Sequence, residues 1–516
     1  MSRRLVLAIA LLTSALTACA DSGVEEIHPT STPTADYEDI NPTSTLEAES
    51  QENTDSMQIA SEPTNTSTPI PSATPTPQST VFPTVELPEV ELSENGPWLI
   101  VSSDSLLYAF NSDGSGKTLL VNRSINSYSI SPSGRQIAYI TDVDLESYTD
   151  GLQLRIIDIT NRQDELITNL QDSSFADPDD FEEIDLLSEA ERAILLGSPR
   201  WSNNGKFIAF IGQTLGPTAD LYVYDLDLDA VTQLTDGPSQ AYGASWSPDD
   251  SRIYHSGAWS FGTGAGYSDA GSWVVSRDGK EIIETTTGMG SDYLIRWQNS
   301  ERLIIGSWSQ PCGIGFLQSY RITTGESTDI WPYYLNGIAY NPSTGKLAIS
   351  VPNDFDFCMS EDQPTGLYII DELGSEPRLI PNIEDARVSG DPSNQGIFLL
   401  TNSSGTYRLY SDDTIEKLQD TPARYREYSK RQNLWLWFGS TEESGGIWVG
   451  DYINEPVKIF NRPITDANWS PNGNSIVFIS EDDGFLYLAE SPDYHPVIVD
   501  EDTIFDEWTR IRWTED

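Results

Sequence analysis

The sequence predicts an all-β protein: a closed β-propeller of eight or nine four-stranded blades, with one blade split between the two ends of the array, preceded by a disordered stalk. Three observations predict it. A strand–turn–strand phrase recurs along the chain, typified by ANWSPNGNSIVFIS at residues 467–480. Its copies step by about 45 residues, as between Trp201 and Trp246, a period that belongs to propellers and solenoids. The array also begins and ends on half-units that complement one another.

The phrase has a physical logic. A strand ends in Trp469, and Ser470-Pro471-Asn472-Gly473 form a tight turn in which Pro presets φ and Asn and Gly tolerate the corner geometry. The alternating β-branched and aromatic run that follows suits a half-buried strand. Copies start at Ser129 (SISPSGRQIAYIT), Pro199 (PRWSNNGKFIAFIG) and Ala244 (ASWSPDDSRIYHSG). Weaker ones start at Ile295 and Ile338, and the most divergent at Arg387 and Arg426. The residues at the Trp469 position are Ile130, Trp201, Trp246, Trp297, Tyr340, Val388, Tyr428, Trp469 and Trp513. Each unit carries four apolar runs. In one of them the first ends at Trp201, and the others cover 207–211, 221–224 and 231–234.

The ends predict closure. The array finishes on RIRWTED, a first strand and half a turn, and starts near Pro97 with WLIVSS, a second strand lacking a first. A ring lets the two halves complete one blade, where an open solenoid would leave two ragged sheet edges. Counting the split blade gives nine units; seven or eight are more usual, hence eight or nine.

Before the array, residues 2–4 are a short basic stretch, and 5–16 an apolar run too short to span a bilayer as a helix. Residues 19–95 are dominated by Ser, Thr, Pro, Glu and Asp, with no Lys or Arg between Arg4 and Lys117. Low hydrophobicity and one-sided charge predict an extended, disordered spacer. The propeller is expected over 96–516. Within it, an insert at 170–198 carries Ser188-Glu189-Ala190-Glu191, a capping box opening a short helix.

Leu16-Thr17-Ala18-Cys19 resembles the lipobox of bacterial lipoprotein signals. That resemblance implies a signal peptide over 1–18, lipidation of Cys19, and an extracytoplasmic chain held on the bacterial membrane through its lipid. Trp246-Ser247-Pro248-Asp249, Trp469-Ser470-Pro471 with Gly473, and Lys206-Phe207-Ile208-Ala209-Phe210 resemble the TolB-type propeller repeat. The likeness covers about 97–516. It implies the fold and leaves function open, since such propellers serve as binding platforms and as peptidase lids.

The chain carries 29 basic and 80 acidic residues, a formal charge of −51. Such a surface repels phosphate backbones and anionic headgroups, so no nucleic-acid partner and no membrane contact beyond the lipid are expected. Three Cys and three His in all exclude a Cys/His zinc site, and no metal or cofactor is expected. Asp142-Val143-Asp144-Leu145-Glu146 and Asp225-Leu226-Asp227-Leu228-Asp229 begin like calcium loops but lack the sixth-position Gly and closing Glu, so they read as solvated turns.

Successive connections alternate between the two ends of the ring, and the long ones follow second and fourth strands. That end is the candidate binding face. Its candidate residues are Trp259, Phe261, Tyr267 and Asp269 in one connection, Trp331, Tyr333 and Tyr334 in the next unit, and Phe355 and Phe357 beyond, beside Asp354 and Asp356. Aromatics next to carboxylates suit a glycan or a basic peptide. Cys312 and Cys358 lie in equivalent connections of adjacent units. A disulfide between them, contributing roughly 4 kcal/mol, is expected outside the cytoplasm, with two free buried thiols as the alternative.

No catalytic residue is assigned. A Gly-x-Ser-x-Gly elbow is missing, no stretch remains for a hydrolase domain, and a Ser-His-Asp site would rest on His255, which reads as a core residue. The leading expectation is a monomeric, non-enzymatic binding module for an envelope protein, peptide or glycan. The alternatives are a polysaccharide hydrolase or lyase using loop-face carboxylates, and a scaffold subunit of an envelope complex.

Overall fold

The computed structural model describes residues 90–103, 106–143, 151–171, 188–261, 267–285, 291–309, 313–352, 363–419, 425–439, 445–451, 456–501, 503, 505 and 509–514. The segment through residue 89, with Cys19, lies outside them, as do Cys312, Asp354, Phe355, Asp356, Phe357 and Cys358. Among the described residues, 36 strands form nine four-stranded antiparallel sheets arranged as a ring, a nine-bladed β-propeller. No described helix is long and apolar enough to cross a membrane.

Blade 1 is the split one. Its innermost strand is β36 (Arg510–Trp513), followed outward by β1 (Trp98–Ser103), β2 (Leu106–Asn111) and β3 (Thr118–Val121). Trp513 pairs with Leu99 and Arg510 with Ser102. The remaining blades follow in chain order: blade 2 (β4–β7, 125–169), blade 3 (β8–β11, 200–233), blade 4 (β12–β15, 240–284), blade 5 (β16–β19, 291–331), blade 6 (β20–β23, 337–380), blade 7 (β24–β27, 387–419), blade 8 (β28–β31, 425–460) and blade 9 (β32–β35, 464–500). In every blade the first strand is innermost. The turns joining first to second and third to fourth strands share one end of the ring, here the turn end; the other connections share the loop end.

The recurring Trp has a structural purpose. Trp201 donates its indole N–H to the carbonyl of Ser129 at 3.1 Å, Trp246 to Arg200 at 2.9 Å and Trp297 to Ser245 at 3.3 Å. Each indole therefore stitches its own inner strand to that of the preceding blade, at the same register. Apolar side chains fill the space between sheets: Phe207 of blade 3 meets Trp246 of blade 4 with ring centres 6.1 Å apart, and Ala209 and Ile211, on the same side of their strand, belong to the same cluster as Ala244 and Ile253 of blade 4. Fully burying one such side chain stabilises by about 1.5–3 kcal/mol, so the ring is held by its inter-blade layers.

In blades 2, 3, 4 and 9 the turn after the marker closes on a serine hydroxyl, that of Ser131, Ser202, Ser247 and Ser470. Ser470 Oγ accepts from the Ser475 N–H at 3.0 Å, and Gly473, at φ 69°, donates to the Ser470 carbonyl at 2.7 Å. Positive φ is what Gly takes at no steric expense. Blade 7 departs from the sequence expectation. There Asn394 donates to the Asp391 carbonyl as Gly473 does to Ser470, so Asp391 is the turn-opening residue and Gly390, paired with Phe398, holds the marker place. Val388 lies two residues earlier in the same strand, opposite Leu400, and the Gly390-to-Phe398 connection is one residue longer than that from Trp469 to Ile476.

Residues 90–96 already dock on blade 1. Leu92 packs against the cluster that includes Trp98, and the Trp98 indole donates to the Ser93 carbonyl at 3.1 Å.

Candidate functional site at the loop end

Residues 257–261 and 267–271, expected within a loop, are instead paired strand ends. Strand β13 (Arg252–Phe261) pairs with β14 (Tyr267–Ser276) as far as Phe261 opposite Tyr267, with bulges around Ala258. Gly257 belongs there sterically: a Cβ would lie 2.6 Å from the ring of Trp273.

A helix clamps this hairpin. Helix α1 (Glu189–Leu196) begins as expected, with Ser188 Oγ accepting from the Glu191 N–H at 3.1 Å. Its apolar side, with Ala193, Ile194 and Leu195, packs into the core between blades 3 and 4. From its first turn, three residues apart, Glu189 accepts the Phe261 N–H, and Arg192 Nη1 donates to the Phe261 carbonyl at 3.3 Å. The insert therefore fixes the tip of the neighbouring blade.

The clamp sorts the aromatic candidates. Trp259 is 55% exposed on the pinned hairpin, while Phe261 is 7% exposed and packs edge-on to Tyr242 at 5.6 Å. Tyr267 begins β14, and its side chain lies outside the description. Trp331 ends β19 (Glu326–Trp331) with only 3% exposed, enclosed by Tyr333 at 5.8 Å and Tyr368 at 4.9 Å. Phe261 and Trp331, expected on the binding face, are thus interior side chains: each sits where a strand end meets the inter-blade core. Tyr333 and Tyr334 are half-buried. Tyr334 meets Phe316 edge-on at 5.5 Å, and its carbonyl accepts from Gln363 at 2.9 Å.

Asp269 is the electrostatically distinctive group. Burial, and next the charge of Asp292, push its pKa up to about 6, against the opposing Gly271 N–H. Asp292, in β16 (Ser291–Asn299), is 1% exposed. Two carboxylates, one with a raised pKa, can share a proton or supply an acid and a base. His255 is a core residue: 4% exposed, stacked on Trp273 at 5.4 Å, and held neutral by burial, which lowers its pKa to about 4. The Asp225 carboxylate is occupied by the N–H groups of Asp227 and Leu228 in its own turn. Among the described residues, no group of three or more His, Cys, Asp or Glu side chains converges as a metal site would require.

One feature escaped the sequence reading. The inner strands, taken together, carry six arginines (Arg200, Arg296, Arg387, Arg426, Arg510 and Arg512), no lysine, and three acids (Asp292, Glu427 and Asp466). In a chain of net charge −51 this is a local inversion of sign. Arg200, Arg296 and Arg512 hold one register, immediately before the marker Trp, near the turn end. The signal that would have found them is the residue before each marker: Arg in blades 1, 3 and 5, Ser in blades 2 and 4.

No family model and no curated protein matches the chain. Solved structures do. A structure described as the eukaryotic initiation factor is 11% identical, aligns over 82% of this chain and 99% of its own, and gives a TM-score of 0.53. Dipeptidyl peptidase 4 of Porphyromonas gingivalis is 12% identical over 75% of this chain, with a TM-score of 0.45, and the match spans 63% of the peptidase. The putative TolB of Agrobacterium tumefaciens is 19% identical over 48% of this chain and 83% of its own, with a TM-score of 0.30. Identities this low speak to architecture alone. The initiation-factor structure, with the TM-score of 0.53, is similar to this chain in overall fold.

Proposed function

We propose that this chain is a lipid-anchored, extracytoplasmic propeller that binds a protein or glycan of the cell envelope through its loop end. The observation that carries the reading is the exposed Trp259 on a hairpin whose tip is clamped by Glu189 and Arg192. A large aromatic presented on fixed backbone loses little conformational entropy on binding and offers a broad apolar face for a sugar ring or a peptide. The lipobox ending in Cys19 supports the anchor.

The test is affinity capture from envelope extract with the full chain and with a Trp259→Ala, Tyr333→Ala, Tyr334→Ala triple variant of unchanged circular dichroism. A component retained by the parent and lost by the variant supports the reading; equal recovery refutes it. Cys19→Ala should move the protein from the membrane to the soluble fraction.

The Asp269–Asp292 pair favours a second reading, a polysaccharide hydrolase or lyase in which the raised carboxyl of Asp269 acts as the acid. Turnover of an envelope polysaccharide that is abolished in Asp269→Asn would support it. Full activity of that variant would dismiss it.

A further inference from the structure

At the turn end of blade 5, three arginines lie on one side of the sheet. Arg302, in β17 (Arg302–Ser309), stands directly across from Arg321 in β18 (Gly313–Arg321). Arg296 in β16 stands across from Ile304, two residues from Arg302, and so shares that face. The face looks toward blade 6: the Arg296 guanidinium lies 4.3 Å from the centre of the Tyr340 ring, and Ile304 belongs to the core shared with that blade. Beside them opens a cleft of about 450 Å³ lined by Gln298, Asn299, Glu301, Arg302, Arg321, Thr323 and Thr324.

The charge arrangement is unfavourable without a ligand. Like charges directly opposed across strands destabilise a sheet. Acids outnumber bases 80 to 29 in the chain, yet among the described residues no carboxylate contacts Arg296 or Arg302. Arg302 Nη1 donates to Ser319 Oγ at 3.3 Å; Arg296 Nε donates to the Trp297 carbonyl at 3.3 Å. Arg321 meets Glu326 at 3.6 Å in a solvent-exposed pair, of little energetic weight. The other lining groups are amides and hydroxyls able to donate, against the single carboxylate of Glu301. Asn299 Oδ1 is taken by the Glu301 N–H at 2.9 Å, which leaves the amide N–H₂ of Asn299 as its donor. Guanidinium forks, amide N–H groups and hydroxyls around a cleft of small-molecule size match the oxygens of a carboxylate or phosphate.

We infer that this cleft is a binding site for a small, multiply charged oxyanion, held by Arg302 and Arg321 with Arg296 behind them. The surrounding negative charge repels long polyanions, so the ligand is compact: a polycarboxylate or a phosphate compound. The site is on the opposite end of the ring from Trp259 and does not depend on what the loop end binds.

Calorimetric titration of the full chain at constant ionic strength tests this with two probes, citrate for the carboxylate class and pyrophosphate for the phosphate class. The expected result is saturable binding of at least one, weakened at least 10-fold by Arg302→Gln. Arg302→Lys should recover part of the loss, because it restores charge without the fork. Arg321→Gln, at a more exposed position, is the second variant should Arg302→Gln fold poorly, and it should also weaken binding several-fold. Arg378→Gln, outside the cleft, should leave binding unchanged. Lack of saturable binding by both probes would overturn the inference, and so would equal weakening by Arg378→Gln and Arg302→Gln. A supporting readout is thermal: the bound anion should raise the melting temperature of the parent and leave that of Arg302→Gln where it was.

Discussion

The loop end and the turn end of blades 4 and 5 are made by the same strands, yet they present opposite chemistry. At the loop end stand Trp259, the half-buried Tyr333 and Tyr334, and the Asp269–Asp292 pair. At the turn end stand Arg296, Arg302 and Arg321 beside short hydroxyl-closed turns. The loop end acquires its character by insertion, an added helix and a lengthened hairpin. The turn end acquires it by register, through single residues repeated at one place in the repeat. Insertions show in a linear sequence as breaks in a period, whereas register becomes visible only when strands are paired. The two ends can therefore diverge without disturbing each other, because the apolar inter-blade layers lie between them.

Four substitutions probe this contrast, beginning with the largest expected effect. Trp331→Ala should cost about 3–5 kcal/mol, the usual range for emptying a buried Trp site. Chemical denaturation would measure it, and a loss below about 1 kcal/mol would show that Trp331 is surface-like after all. Glu189→Ala removes the acceptor of the Phe261 N–H and should cost about 1–2 kcal/mol. Hydrogen exchange at the Phe261 amide should accelerate while exchange at the turn end stays unchanged; uniform acceleration would mean the two ends are coupled.

Asp269→Asn should stabilise in a pH-dependent way. The folded carboxyl holds its proton up to about 6, above the ordinary 3.8. Its favourable contribution is therefore complete below about 3.8 and is lost as pH rises through 6. The variant should melt above the parent at pH 7.5, the gap closing toward pH 4; a gap independent of pH would exclude a raised Asp269 carboxyl. Smallest of all, Trp259→Ala should change stability by less than about 0.5 kcal/mol, as exposed positions do, while removing the proposed loop-end binding.

Much of the fold could be read from the sequence because its determinants are local. The turn chemistry of Ser470–Gly473 and the indole stitches of Trp201, Trp246 and Trp297 act within one repeat or between neighbours, and the half-blades at 97 and 513, although far apart in sequence, are each recognisable as part of that same repeat. The readings that changed had non-local causes. Val388 gave way to Gly390 once the strand pairing set Gly390 opposite Phe398 and Asp391 opened the turn. Residues 257–261 and 267–271 read as loop because glycines and bulges interrupt strict alternation there, although they are paired strands and α1 holds Phe261. Trp331 read as a loop aromatic because its burial depends on Tyr368, which is distant in sequence. The blade 5 arginines occupy ordinary polar positions of an alternating strand, and only cross-strand pairing sets Arg302 opposite Arg321.

The pairing of β36 with β1 also sets an order of events. Trp98 donates its backbone N–H to Thr514 Oγ1 at 2.8 Å across a separation of 416 positions. Closing a loop that long carries an entropic cost about 2 kcal/mol greater than closing one repeat of about 45 residues. While the chain is being made, blades 2 to 9 can assemble from near neighbours, but blade 1 keeps its inner edge open until the last strand emerges. An open inner edge is a template for pairing with another chain. The clasp therefore carries the largest closure entropy in the ring and leaves an open strand edge until it forms. Trimming the chain before Arg510 should yield a ring with eight complete blades and a strong tendency to aggregate.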